Sequence, residues 1–373
     1  MTRKTQRTVQ KSELEFILRT CMSFFTSPLI SLSSKGLYCE AGNFYIDPHR
    51  AVDTALATHA HSDHARRGSA LYITAQTGVG VLKERLGKNI QVKSYPYQEA
   101  FTLGRTKVSF HPAGHILGSA QVRIECDGEV WVVSGDYKRD PDPTCEAFQC
   151  VPCDTFITEA TFGTPKFIWE KNCNYGLAIA SWWEEMICTK KNAILFGYSL
   201  GKAQRILGEL YPFAKKPVLI YPTMVNITER YREEGVKLAQ TLDLFQAIDL
   251  LKSPDSRTTA LEGELILAPP SVLKENFALH LGQYETAFAS GWMQTNSSFS
   301  NRHYDRGFVI SDHADWNDLN QTILETGAKR VFVQHRNGAL VRHLIKLGID
   351  AHSDEMLKPG LYAKLGGIEQ TLW

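Results

Sequence analysis

The stretch Thr58-His59-Ala60-His61-Ser62-Asp63-His64-Ala65 constrains this chain more than any other. It follows Ala51 to Ala57, a run that reads as a strand passing into a loop, so polar side chains collect where a strand ends. His59 and His61 are two residues apart, which in extended chain puts both imidazoles on one side. Asp63 and His64 follow at once, and a turn into helix there would aim a carboxylate and a third imidazole at a second, neighbouring point. A hydrolytic metal ion needs three or four nitrogen or oxygen ligands and one position left for water, and this spacing fits two adjacent ions.

A chain of 373 residues can bury a sizeable core and accommodates about two domains, or one large α/β domain with an insertion. Its 43% hydrophobic and 22% charged residues are those of an ordinary globular protein. The net charge of +1 excludes a generally basic nucleic-acid coat, so a polyanion would have to be held by local charge. Eight cysteines at irregular spacings, without a secretory signal, predict a reducing cytoplasm and no disulfide framework. Cys145, Cys150 and Cys153 cluster, but without paired CxxC motifs they read as ordinary thiols. Residues 1–28 are expected to form an N-terminal extension outside the ordered domain, with Met22 as an alternative start. The semi-apolar part of this region is interrupted by Glu15 and Arg19 and is too polar for a membrane span.

Further ligand-type residues lie at other predicted strand ends. Asp47 closes an apolar run just before Pro48, placed either to hold a histidine of the metal loop or to start a turn. His115 sits in a glycine-flanked loop, Pro112 to Ser119, where another imidazole ligand is wanted, while His111 at the strand end reads as structural. Glu129 to Asp136 is a buried-looking strand whose terminal carboxylate can reach two ions with its two oxygens, and Asp154 to Gly163 repeats the device with Glu159. A helix is expected over 175–189 with Trp182 and Trp183 in the core. Ser199 to Leu207 runs from a loop into a helix whose start, with Lys202, could cradle a phosphate without having P-loop spacing. From 201 to 288 a second βα series carries no metal-ligand cluster and reads as an inserted domain covering the site. Two strands ending in His313 and His335, with a helix over 316–327 between them, predict a βαβ unit that delivers both imidazoles to one edge of a parallel sheet.

These residues are recognisable together. His59-x-His61-x-Asp63-His64, His115 and Asp136 resemble the metal motifs of the metallo-β-lactamase fold, and Asp47 resembles its first motif. Glu159, His313 and His335 are similar to the three additional motifs of the β-CASP branch, which processes nucleic acids. Residues 36–48, 133–145 and 200–205 resemble DNA-ligase-associated exonucleases of bacteria, a likeness that runs from about Leu29 to the C-terminus and leaves out the N-terminal extension.

The resemblance implies an α/β fold, a metallo-β-lactamase αββα sandwich with an inserted β-CASP α/β cap domain. The sandwich would take residues 29–200 and 289–373, and the cap 201–288. It implies two Zn²⁺, with Mn²⁺ as the alternative ion: His59, His61 and His115 on the first, Asp63, His64 and His335 on the second, and Asp136 bridging. Asp63, His313 and Glu159 become the residues of the catalytic step, His313 as general acid oriented by Glu159. Lys138, Arg139, Lys202 and Arg205 become candidates for flanking phosphates. The expected activity is a nuclease, a DNA exonuclease in cytoplasmic repair alongside an ATP-dependent DNA ligase and a helicase, with no membrane partner. An RNA-processing nuclease of the same branch, a small ester or thioester hydrolase and an inactive nucleic-acid scaffold are the rivals.

Overall fold

The computed structural model describes residues 28–251, 261–274, 281–295, 304–334, 338–362 and 365. Short apolar runs bounded by Gly, Pro and Asn become strands of three sheets. The first sheet holds β1 (Ser31–Ser33), β2 (Gly36–Cys39), β3 (Phe44–Ile46), β4 (Thr54–Leu56), β5 (Leu71–Ala75) and β6 (Val92–Tyr95), in that spatial order. Its last three pairings are parallel, and α1 (Val79–Leu86) makes the crossover from β5 to β6.

The second sheet begins with β7 (Ala100–Leu103), β8 (Thr106–Pro112), β9 (Ala120–Cys126), β10 (Glu129–Val133) and β11 (Thr155–Thr158). After β11 the chain passes through α2 (Tyr175–Cys188) into a third, wholly parallel sheet. That sheet has β12 (Asn192–Phe196), β13 (Val218–Ile220), β14 (Thr241–Asp243), β15 (Leu265–Ala268), β16 (Tyr284–Ala289) and β17 (Arg306–Phe308), ordered β14-β13-β15-β12-β16-β17. Its helices include α3 (Lys202–Leu210), α4 (Pro222–Glu233) and α5 (Leu244–Leu251). The chain then returns through α6 (Trp316–Thr326) to β18 (Arg330–Val333), α7 (Gly338–Lys346) and β19 (Asp350–Ser353), which complete the second sheet beside β11.

Three cores order these layers. Phe44, Ile46, Leu56 and Ile73 of the first sheet pack against Phe110, Val122, Ile124, Trp131 and Phe332 of the second, all at most 1% exposed. Burying each such side chain is worth about 1.5–3 kcal/mol, so this interior holds the strands and leaves their ends free for chemistry. On its outer face the second sheet buries Val132, Phe156 and Val331 under Leu319 and Ile323 of α6 and Leu340 and Leu344 of α7. Ala55 and Tyr72 of the first sheet pack with Val81 and Leu82 of α1 in a cluster continuous with Trp182, Trp183 and Ile206 of the third-sheet unit. Burial on both faces explains why Val130-Trp-Val-Val133 reads as an unbroken apolar run.

Three expectations change. The third sheet begins at Asn192 and ends at Phe308, wider than 201–288, and α2 packs with it through Trp183, whose Nε1 donates to the Gly263 carbonyl at 3.0 Å. Local pattern identifies a strand but not the sheet it joins. For the same reason the predicted βαβ unit fails: β17 pairs with β16 in the third sheet, whereas β18 pairs with β11 in the second. The metal loop turns over Ser62 to His64 without becoming helix. Residues 1–27 and His335 lie outside the described residues. Among the described residues no helix is long and apolar enough to cross a membrane.

Candidate metal centre

The strand ends explain how distant residues meet. β10, β11 and β18 run parallel with Val133 beside Ile157, and Thr158 beside Val333, so Asp136 and Glu159 leave the second sheet at one edge. His59, His61 and His64 leave β4 of the first sheet, and His115 sits on the β8–β9 loop. Gly135 has φ +55°, and a Cβ there would lie 2.7 Å from the Thr58 Cβ, so only glycine lets the Asp136 loop close on the histidine loop.

Hydrogen bonds to the remote ring nitrogens fix the tautomers. His61 Nε2 donates to the Leu200 carbonyl at 3.1 Å, and His115 Nδ1 to the Asp312 carbonyl at 2.7 Å. Thr58 Oγ1 donates to Asp47 Oδ2 at 2.6 Å and so receives the His59 Nδ1 proton at 3.0 Å. The nitrogens left without protons face one another: His59 Nε2 and His115 Nε2 each lie 3.0 Å from His61 Nδ1. Asp136 Oδ2 stands 3.6 and 3.7 Å from the first two, and buried Asp136 Oδ1 has no hydrogen-bond partner. His59, His61, His115 and Asp136 thus offer ligand atoms within 4.8 Å of one another. Donors held about 2.0–2.2 Å from one tetrahedral ion stand roughly 3–3.6 Å apart, so this set fits a divalent cation.

The electrostatics agree. Burial pushes His59 and His115 well below the usual imidazole range and lowers His61, favouring the neutral form that a metal takes. Burial also pulls on His64, but Asp136 and Asp47 outweigh it and hold its pKa well above that range. His64 Nδ1 lies 2.7 Å from Asp47 Oδ2, and its Nε2 lies 3.3 Å from Asp136 Oδ2 and 3.8 Å from Asp63 Oδ2. Asp47 therefore supports two histidines, one directly and one through Thr58. Asp63 is largely exposed beside His64, whose ring lies 4.1 Å from that of His59.

His313 adjoins these, its ligand atom lying with those of Asp136 and Glu159 within 4.8 Å of one another. Its Nδ1 lies 3.0 and 3.2 Å from the two oxygens of Glu159, which is 1% exposed and accepts from the Tyr137 N–H at 2.6 Å. Burial opposes protonation of His313, but Glu159 prevails and raises its pKa to about 9. The ring lies 4.7 Å from that of His115, and both line a cavity of about 140 Å³ with His61.

Three of the four basic candidates for phosphate binding are buried in internal ion pairs, and the fourth, Arg139, is paired near the surface. Lys138 binds Asp142 at 2.7 Å, and Lys202 binds Asp312 at 2.8 Å and the Ile310 carbonyl at 2.6 Å. Arg205 lies between Asp142 and Asp312, at 3.4 and 3.3 Å, and also donates to the Ser311 carbonyl. These three are at most 4% exposed. Arg139 pairs with Glu325 at 2.7 Å and Thr322 at 3.1 Å. Their charges answer internal carboxylates, and Lys202 and Arg205 fix the Ile310–Asp312 backbone that orients His115.

Sequence reasoning missed Thr58, Asp142, Asp312 and the Leu200 carbonyl. Thr58 and Asp312 each precede a singled-out histidine, a signal that was available, whereas a backbone acceptor leaves none. Gly201, at φ +84°, lets Leu200 reach His61, because a Cβ there would lie 2.4 Å from Ile116 Cγ2. Cys145, Cys150 and Cys153 form no metal-ligand group among the described residues, and His111 bonds Ser109 and Gln149 away from the centre.

Fold and site together define a mixed α/β protein with a histidine-rich centre for divalent metal. No family model matches the chain. Among curated proteins it is 29% identical over 306 residues to one named "Probable DNA ligase" from Opitutus terrae, covering 81% of this chain and 28% of that one. It is 28% identical over 303 residues to "Endoribonuclease YSH1" from Gibberella zeae, covering 62% and 35%. It is 26% identical over 187 residues to "RNase J-like protein" from Methanocaldococcus jannaschii, covering 42% and 43%. The chain thus spans well under half the length of these relatives. These relatives fit the resemblance of the motif residues to the metallo-β-lactamase family and its β-CASP branch.

Proposed function

We propose that the chain is a metal-dependent phosphodiesterase acting as a nuclease, with DNA exonuclease action in repair as its leading form. The observation that carries this is the convergence of three imidazole nitrogens and a half-unsatisfied carboxylate, with His313 held by Glu159 beside them. On this reading the first two sheets and their outer helices are the αββα sandwich, and about 175–308 is the cap. His59, His61 and His115 would hold one ion and Asp63, His64 and His335 the other, with Asp136 shared between them. Zn²⁺ suits this donor set, with Mn²⁺ the alternative. Two such cations supply Lewis acidity, activate water and offset charge growing on the phosphoryl group.

The chain's own residues do the rest. Glu159 holds His313 Nδ1, leaving Nε2 to protonate the departing oxygen. The Ser311 hydroxyl accepts from the His313 N–H at 3.1 Å and fixes the loop. A small ester or thioester hydrolase would have no need of this acid or of the third-sheet unit.

DNA as substrate and association with a DNA ligase are supported by the name of the ligase-named relative, whose match takes in 81% of this chain; cytoplasmic repair and the ATP-dependent ligase and helicase as neighbours follow from the motif resemblance alone. RNA is the second reading, supported by relatives named endoribonuclease and RNase J-like. The test is a time course on matched single-stranded DNA and RNA labelled at either end, with added Zn²⁺ or Mn²⁺. Release of label from DNA, absent in Asp136→Ala and reduced in His313→Ala, supports the leading form. Preference for RNA selects the second, and no cleavage of either by metal-loaded protein overturns both.

A further inference from the structure

One wall of the cavity beside the metal centre is aromatic, formed by Phe162, Tyr198 and Trp292. Tyr198 is 52% exposed and Trp292 42%, so both present ring surface to whatever approaches His61 and His115. Trp292 is braced from behind: its ring centroid lies 4.8 Å from Phe162 and 5.3 Å from Phe167, and Phe162 lies 4.8 Å from Trp169. Trp169 in turn donates from Nε1 to the His313 carbonyl at 3.0 Å and from its backbone N–H to Asp315 at 2.8 Å. Gly291 seats the turn against this cluster, since a Cβ there would fall 2.8 Å from Phe162 Cζ. The platform is therefore fixed to the loop that carries the proposed acid.

Two features say what it is for. A cavity of about 140 Å³ holds roughly five waters. A phosphate seated in it would place the neighbouring base toward the open rim, where Tyr198 and Trp292 are exposed. Among the described residues lining the cavity, Lys202 is the one lysine or arginine, and its ammonium is spent on Asp312 and the Ile310 carbonyl. Positioning energy that free cations would otherwise supply has to come from elsewhere, and a rigid, half-open indole offers it by stacking.

We propose that Trp292, with Tyr198 on the same cavity, is a stacking site for the nucleobase next to the scissile phosphodiester. Stacking of this kind tolerates any base and needs an unpaired one, so the substrate presented to the centre is single-stranded or a frayed end. The proposal rests on the nuclease reading above.

The test measures kcat/KM on short single-stranded oligonucleotides that carry either a normal base or an abasic sugar on each side of the scissile bond in turn. Wild type should lose roughly 5- to 150-fold when the stacked base is missing. Trp292→Ala should lose a similar factor on the intact strand and nothing further on the abasic one, with Tyr198→Ala showing the same pattern more weakly. Trp292→Phe should recover most of the loss. Trp292→Leu, which keeps the contacts with Phe162 and Phe167 but removes the π face, should behave as the alanine variant does and guards against a folding defect. Losses that multiply between variant and abasic strand would overturn the stacking site while leaving the nuclease intact. A wild type that cleaves no strand would instead bring down the nuclease reading itself.

Discussion

Two buried polar clusters meet near the start of α3, and they differ in one respect. In the network of Lys138, Asp142, Lys202, Arg205 and Asp312, each charge faces an opposite charge within 3.4 Å. In the group of His59, His61, His115 and Asp136, the remote ring nitrogens are satisfied, and the near ones point lone pairs at each other. The first cluster answers each of its charges internally, although Arg205 Nε makes no hydrogen bond, while the second gathers acceptor atoms that a cation would satisfy. Charge on a sequence therefore says little about ligand binding until its internal partners are counted: Lys138, Lys202 and Arg205 are buried in internal ion pairs, whereas His59, His61 and His115 are brought together.

The largest break in this contrast should come from Asp136→Ala, which removes the carboxylate shared by the proposed ions. Turnover should fall by more than about 10³-fold, and bound metal should drop with it. Substituting His313→Ala should lower kcat by about 10²–10⁴-fold while metal content, read by elemental analysis, stays at the wild-type value. Gly201→Ala should push Leu200 away from His61 and weaken metal affinity by about 10- to 100-fold, the usual cost of losing a ligand's outer hydrogen bond.

The charged network should respond in stability instead. Lys202→Met should cost about 3 kcal/mol in urea unfolding, because it leaves Asp312 buried with less counter-charge. The salt dependence of activity should stay unchanged, whereas a phosphate-binding lysine would flatten it.

The smallest effect belongs to the partly exposed pair Asp350–His352. The hydrogen bond from His352, then that from Arg330, lowers the Asp350 carboxyl to about 2. A folded-state pKa below the unfolded value of about 3.9 gives stability that is present above pH 4 and lost as pH falls toward 2. Asp350→Asn should remove that part of the acid-side slope, and solvent screening holds the change under about 1 kcal/mol in an acid titration followed by circular dichroism.

The site was more legible in the sequence than the architecture around it. Metal ligands come as specific residue types at strand ends, so Asp47, His59, His61, His64, His115, Asp136, Glu159 and His313 could be singled out from local pattern and resemblance. Membership of a sheet depends on pairing across long stretches of chain. Neither the Asn192 start of the third sheet nor the split of β17 from β18 leaves a local trace. Acceptors such as the Leu200 and Asp312 carbonyls are written in backbone position, and the Ile310, Ser311 and Asp312 partners of Lys202 and Arg205 lie more than a hundred residues away in the chain.

The central claim is that the converging imidazoles hold a divalent cation. Chelator-stripped protein should be titrated calorimetrically with Zn²⁺, wild type beside His59→Ala and His115→Ala, with circular dichroism to verify folding. Saturable binding in wild type, lost or severely weakened in both variants, is the predicted result. Binding of the same stoichiometry and affinity in all three folded proteins, or none in wild type, would contradict the account.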